Sequence, residues 1–489
     1  MSAESASQIP GLTFRKGRWI DGWNPENPAQ WSGGGVKIAR RNLGFSVYAE
    51  FLGFIVWQLW SIVVVSLDDW HGFSFDTGQQ FWLISLPSLV GATMRFPYTF
   101  MVAKLGGRNW TIISAGLLLI PTVAMALAIG NHPDASGVGG TSYPVMLLVA
   151  ALAGFGGGNF ASSMANINYF FPQRTRGWAL GLNAAGGNIG AAVAQFSVPI
   201  LITLTALGVT GQGGRLANLP IAGWFWVPFI VIAMVAAFFG MHNLTSAKTD
   251  FGGYRAALKD WNLWVLSFLY IGTFGSFIGL AGAFPKLIKD QFPNYSTIQM
   301  SYWGIVVGVS LAFLGPLVGS LARPFGGRLA DRIGGAYVTL GAFVAMLLAV
   351  LASIKTLESG LGFSAFLACF MVLFIATGIG NGSMYKMIPT IFAMRAGVAD
   401  AQRVSGDIMS QRKTSAALGI VAAFGAYGGF LVPQVFSKAL SITSDHPKAV
   451  RVVDGYSLGL WWLFGAYVVF LVVLVACYVI PYARRGTRV

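Results

Sequence analysis

Charge is scarce in this chain. Only 10% of its 489 residues are Asp, Glu, Lys or Arg, against about 25% in a soluble domain. Too few polar groups are present to cover a water-exposed surface, which excludes an ordinary soluble enzyme. Hydrophobic residues reach 55%, which excludes a disordered protein. Cysteine is nearly absent: Cys369 and Cys477 both sit in apolar runs and read as small buried hydrophobes, so a disulfide scaffold is excluded. The four histidines, His71, His132, His242 and His446, fall in loops or at span ends, with no zinc or haem spacing. No metal or cofactor is called for. Neither a Ser-His-Asp set nor a phosphate loop appears. The basic N-terminus is not followed at once by an apolar stretch, so no cleaved signal peptide is expected.

What the chain does have is long apolar runs, 63 glycines and 14% aromatics, the composition of a polytopic membrane protein. A bilayer core of about 30 Å takes about 20 apolar residues per helix. Twelve candidate spans follow: 44–67, 82–104, 111–130, 144–171, 177–205, 222–242, 261–285, 302–327, 336–354, 361–393, 414–437 and 457–481. The net charge of +15 is read through topology rather than as a nucleic-acid signal. With the N-terminus inside, most Lys and Arg fall in cytoplasmic segments, as the positive-inside rule requires. Both termini are expected in the cytoplasm. The organisation expected is a tail (1–43), a six-helix half (44–242), a cytoplasmic linker (243–260), a second six-helix half (261–482) and a C-terminal tail (483–489). The N-terminal tail reads equally as a loose stub or a docking segment.

The two halves echo one another. Arg95 lies 228 positions before Arg323, and the same offset places Lys104 on Arg332, Gly106-Gly107 on Gly334-Gly335 and Thr111 on Thr339. A second echo, offset by 238, sets 179–190 over 417–428. Repeated six-helix halves point to a secondary transporter with its site between them near the midplane. The run Gly-Gly-Arg-Leu-Ala-Asp-Arg-Ile-Gly-Gly (326–335) resembles the signature loop of the major facilitator superfamily, and an all-α major facilitator fold is expected.

Charges inside a membrane are costly and mark function by default. Here they are Arg95, Arg323 and Glu50. Each arginine is nine residues from a basic residue at its cytoplasmic end, about 14 Å at 1.5 Å per residue. With one acid in all the spans, at most one arginine can be ion-paired. Two guanidiniums facing one cavity call for an oxygen-rich anion. Glu50 reads either as a partner for a basic residue at the cytoplasmic end of its span or as a proton carrier. The glycine pairs Gly177/Gly181, Gly186/Gly190 and Gly425/Gly429 thin their helices for close packing; Asn183 and Asn188 ride on span five, where they are expected to donate to an oxyanion, and Asn159 rides with similar glycines on span four.

These segments also carry a resemblance. Gly-Leu-Asn-Ala-Ala-Gly-Gly-Asn-Ile-Gly (181–190) and Ala-Ala-Leu-Gly-Ile-Val-Ala-Ala-Phe-Gly-Ala-Tyr-Gly-Gly-Phe (416–430) resemble the two nitrate signatures of the nitrate/nitrite porter family. Arg95-Phe-Pro-Tyr, 158–166, 270–279 and Leu-Ala-Arg323 match it as well, and the bacterial nitrate/nitrite exchanger branch is the most similar. The resemblance implies an anion clamped by Arg95 and Arg323, sandwiched by Phe160 and Phe274, and contacted by Tyr270 and Asn188. It also assigns the signature glycines Gly181, Gly187, Gly190, Gly419, Gly425 and Gly428. Glu50 stands where that branch is expected to be apolar. The implied activity is nitrate/nitrite antiport at a bacterial inner membrane, serving nitrate assimilation or anaerobic nitrate respiration, by a monomer in membrane lipid with no nucleic-acid partner. Nitrate–proton symport through Glu50, an organic-phosphate exchanger, and an anion channel or sensor are the alternatives.

Overall fold

The computed structural model describes residues 9–484 except 134–138, 206–217, 248–250, 303–304, 396–407 and 445–447. Among the described residues the chain forms an all-α membrane bundle built on twelve long helices. They are α1 (Val36–His71), α2 (Thr77–Leu105), α3 (Gly107–Gly130), α4 (Tyr143–Phe170), α5 (Gln173–Leu204), α6 (Ile221–Gly240), α7 (Trp261–Gln291), α8 (Leu314–Ile333), α9 (Gly335–Glu358), α10 (Phe363–Arg395), α11 (Ala416–Ile442) and α12 (Val452–Arg484). Ten are long and apolar enough to cross a bilayer by composition alone. The other two, α2 and α8, are those that carry Arg95 and Arg323.

Local chemistry sets the helix ends. Asp76 and Gln79 form a reciprocal capping box at the start of α2, satisfying amides that have no partner within the helix. At the other end α2 stops at Gly106 with φ 86°, and α8 stops at Gly334 with φ 96°. Only glycine enters that region without strain. The repeated Gly-Gly pairs are therefore the same corner built twice.

The two largest departures from the sequence reading are at span starts. The first helix begins at Val36 rather than 44, because its basic first turns are held by side-chain partners: Asn42 accepts from the His242 backbone N–H and Arg41 meets the His242 ring at 3.2 Å. Glu50 therefore lies nearly four turns into the helix. The eighth span begins at Leu314 rather than 302. The apolar segment before it is an antiparallel hairpin, β4 (Ile298–Tyr302) with β5 (Ile305–Val309), in register Ile298↔Val309; its β-branched residues suit a strand, and an apolar run does not by itself distinguish the two states.

The N-terminal segment folds onto the bundle. Strands β1 (Thr13–Arg15) and β2 (Trp19–Asp21) pair antiparallel, and β2 pairs in parallel with β3 (Asn243–Leu244), just after α6. An Arg15–Asp21 ion pair crosses the hairpin. Buried Ile9, Ile20 and Trp23 pack with Ile38, Phe170 and Phe171. Trp23 Nε1 donates to the Tyr169 carbonyl at 3.1 Å, and Glu26 accepts the Gln173 backbone N–H at 2.7 Å. The segment thus ties the start of α1, the α4–α5 corner and the chain after α6 together.

Hydrogen bonds also join α1–α6 to α7–α12. Gln195 donates to the Ala281 carbonyl at 2.7 Å, Lys289 to the Val65 carbonyl at 2.7 Å and Gln434 to Ser85 at 2.8 Å. The Lys289 contact closes the end of the bundle away from the N-terminal segment.

Candidate anion site between the two arginines

Arg95 is fully buried on α2. Its Nε donates to the Gly157 carbonyl on α4 at 3.0 Å, and its Nη1 to the Ala422 carbonyl on α11 at 2.6 Å. Nη2 has no hydrogen-bond partner. Glycine at 157 lets α4 come this close: any Cβ there would strike the Trp57 ring, which itself lies 5.4 Å from the Arg95 guanidinium.

Arg323, 5% exposed on α8, has neither Nη hydrogen-bonded. Its plane is held by rings instead, with Tyr385 at 4.7 Å and Phe160 at 5.9 Å. Ring faces attract a cation without using its N–H groups, so the donor edge stays free.

Both guanidiniums lie over the same ring, Arg95 at 4.7 Å from the Phe160 centroid. Across from it stands Phe274, 6.3 Å away and tilted by only 23°, and Arg95 is 5.2 Å from that ring too. Two van der Waals separations of about 3.5 Å each would need about 7 Å. The pair is therefore set a little closer than two faces gripping one flat ion between them. Phe274 sits in a π-turn, Ile271–Gly275, that interrupts α7; such bulges often mark functional sites. Tyr270 stacks on Phe274 at 5.4 Å and donates to Asn381 Oδ1 at 2.6 Å. Gly425 makes room for the Tyr270 ring, and a Cβ on Gly275 would come within 2.9 Å of Gly428 Cα.

Five of the residues singled out by sequence, Arg95, Arg323, Phe160, Phe274 and Tyr270, thus form one connected cluster. Asn188 is fully buried on α5 with both side-chain polar atoms unpartnered, and among the described residues no hydrogen bond or ring contact ties it to the arginines. Gly187 and Gly190 lie against Glu50 and the α1 backbone, whereas Gly181 faces open space and Gly419 makes only ordinary contacts.

Two expectations are corrected. Glu50 makes no ion pair with a basic residue at the cytoplasmic end of its span among the described residues. It is fully buried and its Oε2 accepts from Asn183 Nδ2 at 2.7 Å. Asn183, expected to face an oxyanion, spends its N–H groups on Glu50 and on Ser163 at 2.8 Å. Tyr385 and Asn381 escaped the sequence reading. A signal was present: Gly158-Asn159 on α4 recurs as Gly380-Asn381 on α10.

The arrangement leaves one Nη of Arg95 and both Nη groups of Arg323 buried among aromatic rings with no acceptor from the protein. It holds no nucleophile paired with a base, and among the described residues no cluster of metal ligands.

Comparison with known proteins agrees with this chemistry. The Major Facilitator Superfamily profile matches residues 49–433. The nitrate/nitrite transporter NarU of Salmonella typhimurium is 43% identical over 88% of this chain and 92% of its own length. A probable nitrate/nitrite antiporter of Thermus thermophilus, NarK2, is 36% identical over 86% of this chain and 89% of its own. Among solved structures, a D-xylose-proton symporter aligns with TM-score 0.61 at 13% identity, covering 89% of this chain and 97% of that one. A bacterial homologue of the lysosomal transporter Spinster, inward-facing and unoccupied, gives 0.60 at 18% identity over 90% and 96%. These two carry the fold alone. The chain is a membrane transporter rather than an enzyme, and it belongs to the nitrate/nitrite porter family of the Major Facilitator Superfamily.

Proposed function

We propose that this transporter exchanges nitrate for nitrite across a bacterial inner membrane, with the anion held between Arg95 and Arg323. The observation that carries the reading is the pair of buried guanidiniums whose free N–H edges meet at the Phe160–Phe274 rings. Arginine is permanently charged and offers planar, paired donors. A flat, weakly hydrated monovalent oxyanion suits both the donors and the ring faces, and Asn188 and Tyr270 border its path. Of the relatives named above, one is called a nitrate/nitrite transporter and the other a probable nitrate/nitrite antiporter.

Exchange follows from electrostatics. An empty, closed site would bury unneutralised arginine charge, at a cost of several kcal/mol. A bound anion lowers that cost, so the halves 44–242 and 261–482 rock only when loaded, in either direction. The termini, and the linker 243–260 between the halves, face the cytoplasm, and the monomer is the working unit.

A second reading, nitrate–proton symport, is favoured by the full burial of Glu50 within α1. It requires nitrate uptake with no anion to exchange.

Substrate class is tested by titration calorimetry on the purified protein. Nitrate and nitrite are expected to bind and glycerol phosphate is not. Binding of the phosphate ester with no response to nitrate would overturn the reading in favour of an organic-phosphate exchanger.

A further inference from the structure

Three arginines without a counter-charge converge at the end of the bundle that carries the N-terminal segment, the end read above as cytoplasmic. Arg41 on α1 donates from Nη2 to His242 Nδ1 at 3.2 Å, and its Nε is buried with no partner. Arg108 on α3 donates from Nε to the Phe238 carbonyl of α6 at 2.9 Å and from Nη1 to the Gly17 carbonyl at 3.4 Å. Gly17 and Arg18 turn the chain between β1 and β2, and the Arg18 carbonyl accepts the N–H of Asn243, the residue after His242, at 2.9 Å. All three arginines act electrostatically on the His242 ring. None of them meets a carboxylate among the described residues, and the hairpin's own acid, Asp21, is taken by Arg15. Like charges gathered in a partly buried corner repel. Arg18 adds backbone strain: among the described residues it is the one non-glycine residue at positive φ, 63°, in a turn position that favours glycine or asparagine. Repulsion and strain concentrated in one place point to an anionic ligand.

An apolar groove between α1 and α6 begins beside this corner. Its volume is about 380 Å³, and its lining includes Phe45 of α1 and Val231, Val235 and Phe239 of α6. Phe45 lies one turn beyond Arg41, on the same helix face, and its ring crosses Gly240, where any Cβ would strike it. Phe239 follows the residue whose carbonyl Arg108 holds. Val235 and Phe239 are exposed, so the groove opens toward lipid. A groove of this kind takes a hydrocarbon chain, and the arginines at its end take a phosphate. We propose that this corner of α1, α3, α6 and the N-terminal hairpin binds an anionic phospholipid, its phosphate on Arg18, Arg41 and Arg108 and one acyl chain along the groove between Phe45 and Phe239. The lipid neutralises the cluster and fastens the hairpin to α1 and α6.

Native mass spectrometry of the purified full-length transporter reads the binding, with dioleoyl phosphatidylglycerol, dioleoyl phosphatidylcholine and glycerol phosphate as probes. Wild type is expected to hold the phosphatidylglycerol at least about tenfold more tightly than the phosphatidylcholine. Arg18→Gln and Arg41→Gln are each expected to weaken phosphatidylglycerol by about fivefold, the equivalent of roughly 1 kcal/mol per basic residue at a membrane surface. Arg40→Gln removes an equal charge from an exposed neighbouring position and is expected to change the affinity by less than about twofold. Val235→Trp fills the groove, leaves every arginine in place and is expected to weaken the lipid too. Arg40→Gln as damaging as Arg41→Gln would show diffuse surface charge and overturn the site. Glycerol phosphate held as tightly as the lipid, and unaffected by Val235→Trp, would replace the lipid with a free phosphate. Wild type alone decides if the variants fail to fold: phosphatidylcholine held as tightly as phosphatidylglycerol overturns the assignment.

Discussion

Lysine in place of Arg323 keeps the charge and removes the geometry. The wild-type guanidinium presents two Nη groups with no protein acceptor, its plane set by Tyr385 at 4.7 Å and Phe160 at 5.9 Å. A lysine ammonium is a point charge on a flexible stem and cannot present a planar pair of donors. The substitution therefore costs at least one charge-assisted hydrogen bond to the ligand, about 1.5–3 kcal/mol. At 1.4 kcal/mol per decade, nitrate affinity falls by roughly 10- to 150-fold. Stability is expected to hold, because Arg323 makes no Nη hydrogen bond that the fold would lose. Arg95→Lys should behave differently. Arg95 Nε and Nη1 hold the Gly157 and Ala422 carbonyls; a lysine, with a single nitrogen, cannot reach both, so at least one charge-assisted bond worth about 1.5–3 kcal/mol is lost and α2 is loosened from α4 or α11. Titration calorimetry and thermal unfolding in detergent, run on both variants, separate these effects. Nitrate affinity within threefold of wild type in Arg323→Lys would refute the bidentate clamp. Equal melting temperatures for the two variants would refute the division of labour between the arginines.

The signature glycines should divide by contact. Gly187→Ala drives a methyl into Glu50 and Gly425→Ala drives one into Tyr270, whereas Gly181→Ala meets open space; overpacking of about 1–3 kcal/mol is expected in the first two and none in the third, read as melting temperature. Trp23→Ala removes a buried ring and its bond to the Tyr169 carbonyl, and a loss of about 3–5 kcal/mol should appear as a lower unfolding midpoint; an unchanged midpoint would show that the N-terminal segment is not part of the folded core. His242, just beyond α6, is pushed down to about 3 by burial first and then by Arg18, Arg41 and Arg108. Its imidazole stays neutral in the folded protein while the unfolded chain takes up a proton near pH 6.5. Stability is then complete above that pH and falls as pH drops toward 3. A pH series of melting temperatures should show this decline, and His242→Gln should flatten it.

Much of the site was legible because membranes make charge conspicuous. Arg95 and Arg323 stood out as the basic residues within apolar runs, and their shared offset with two Gly-Gly corners exposed the repeat. The aromatic partners were different. Phe160 and Phe274 look like any of 37 phenylalanines, and only the resemblance lifted them. What stayed hidden depends on contacts between distant segments. The Asn183–Glu50 bond joins residues 133 positions apart, and the order of the N-terminal segment rests on Trp23, whose partner is Tyr169. The β4–β5 hairpin was lost in an apolar run whose sequence suits a strand and a helix start alike. Tyr385 was missed because it lies against Arg323 rather than matching a signature.

The central claim is tested most directly by labelled nitrate uptake into vesicles containing the purified transporter, with the lumen empty or loaded with nitrite, and with or without an acid exterior. The account predicts uptake only into nitrite-loaded vesicles, at a rate indifferent to the pH gradient. Uptake into empty vesicles driven by external acid would contradict exchange and make Glu50 a proton carrier.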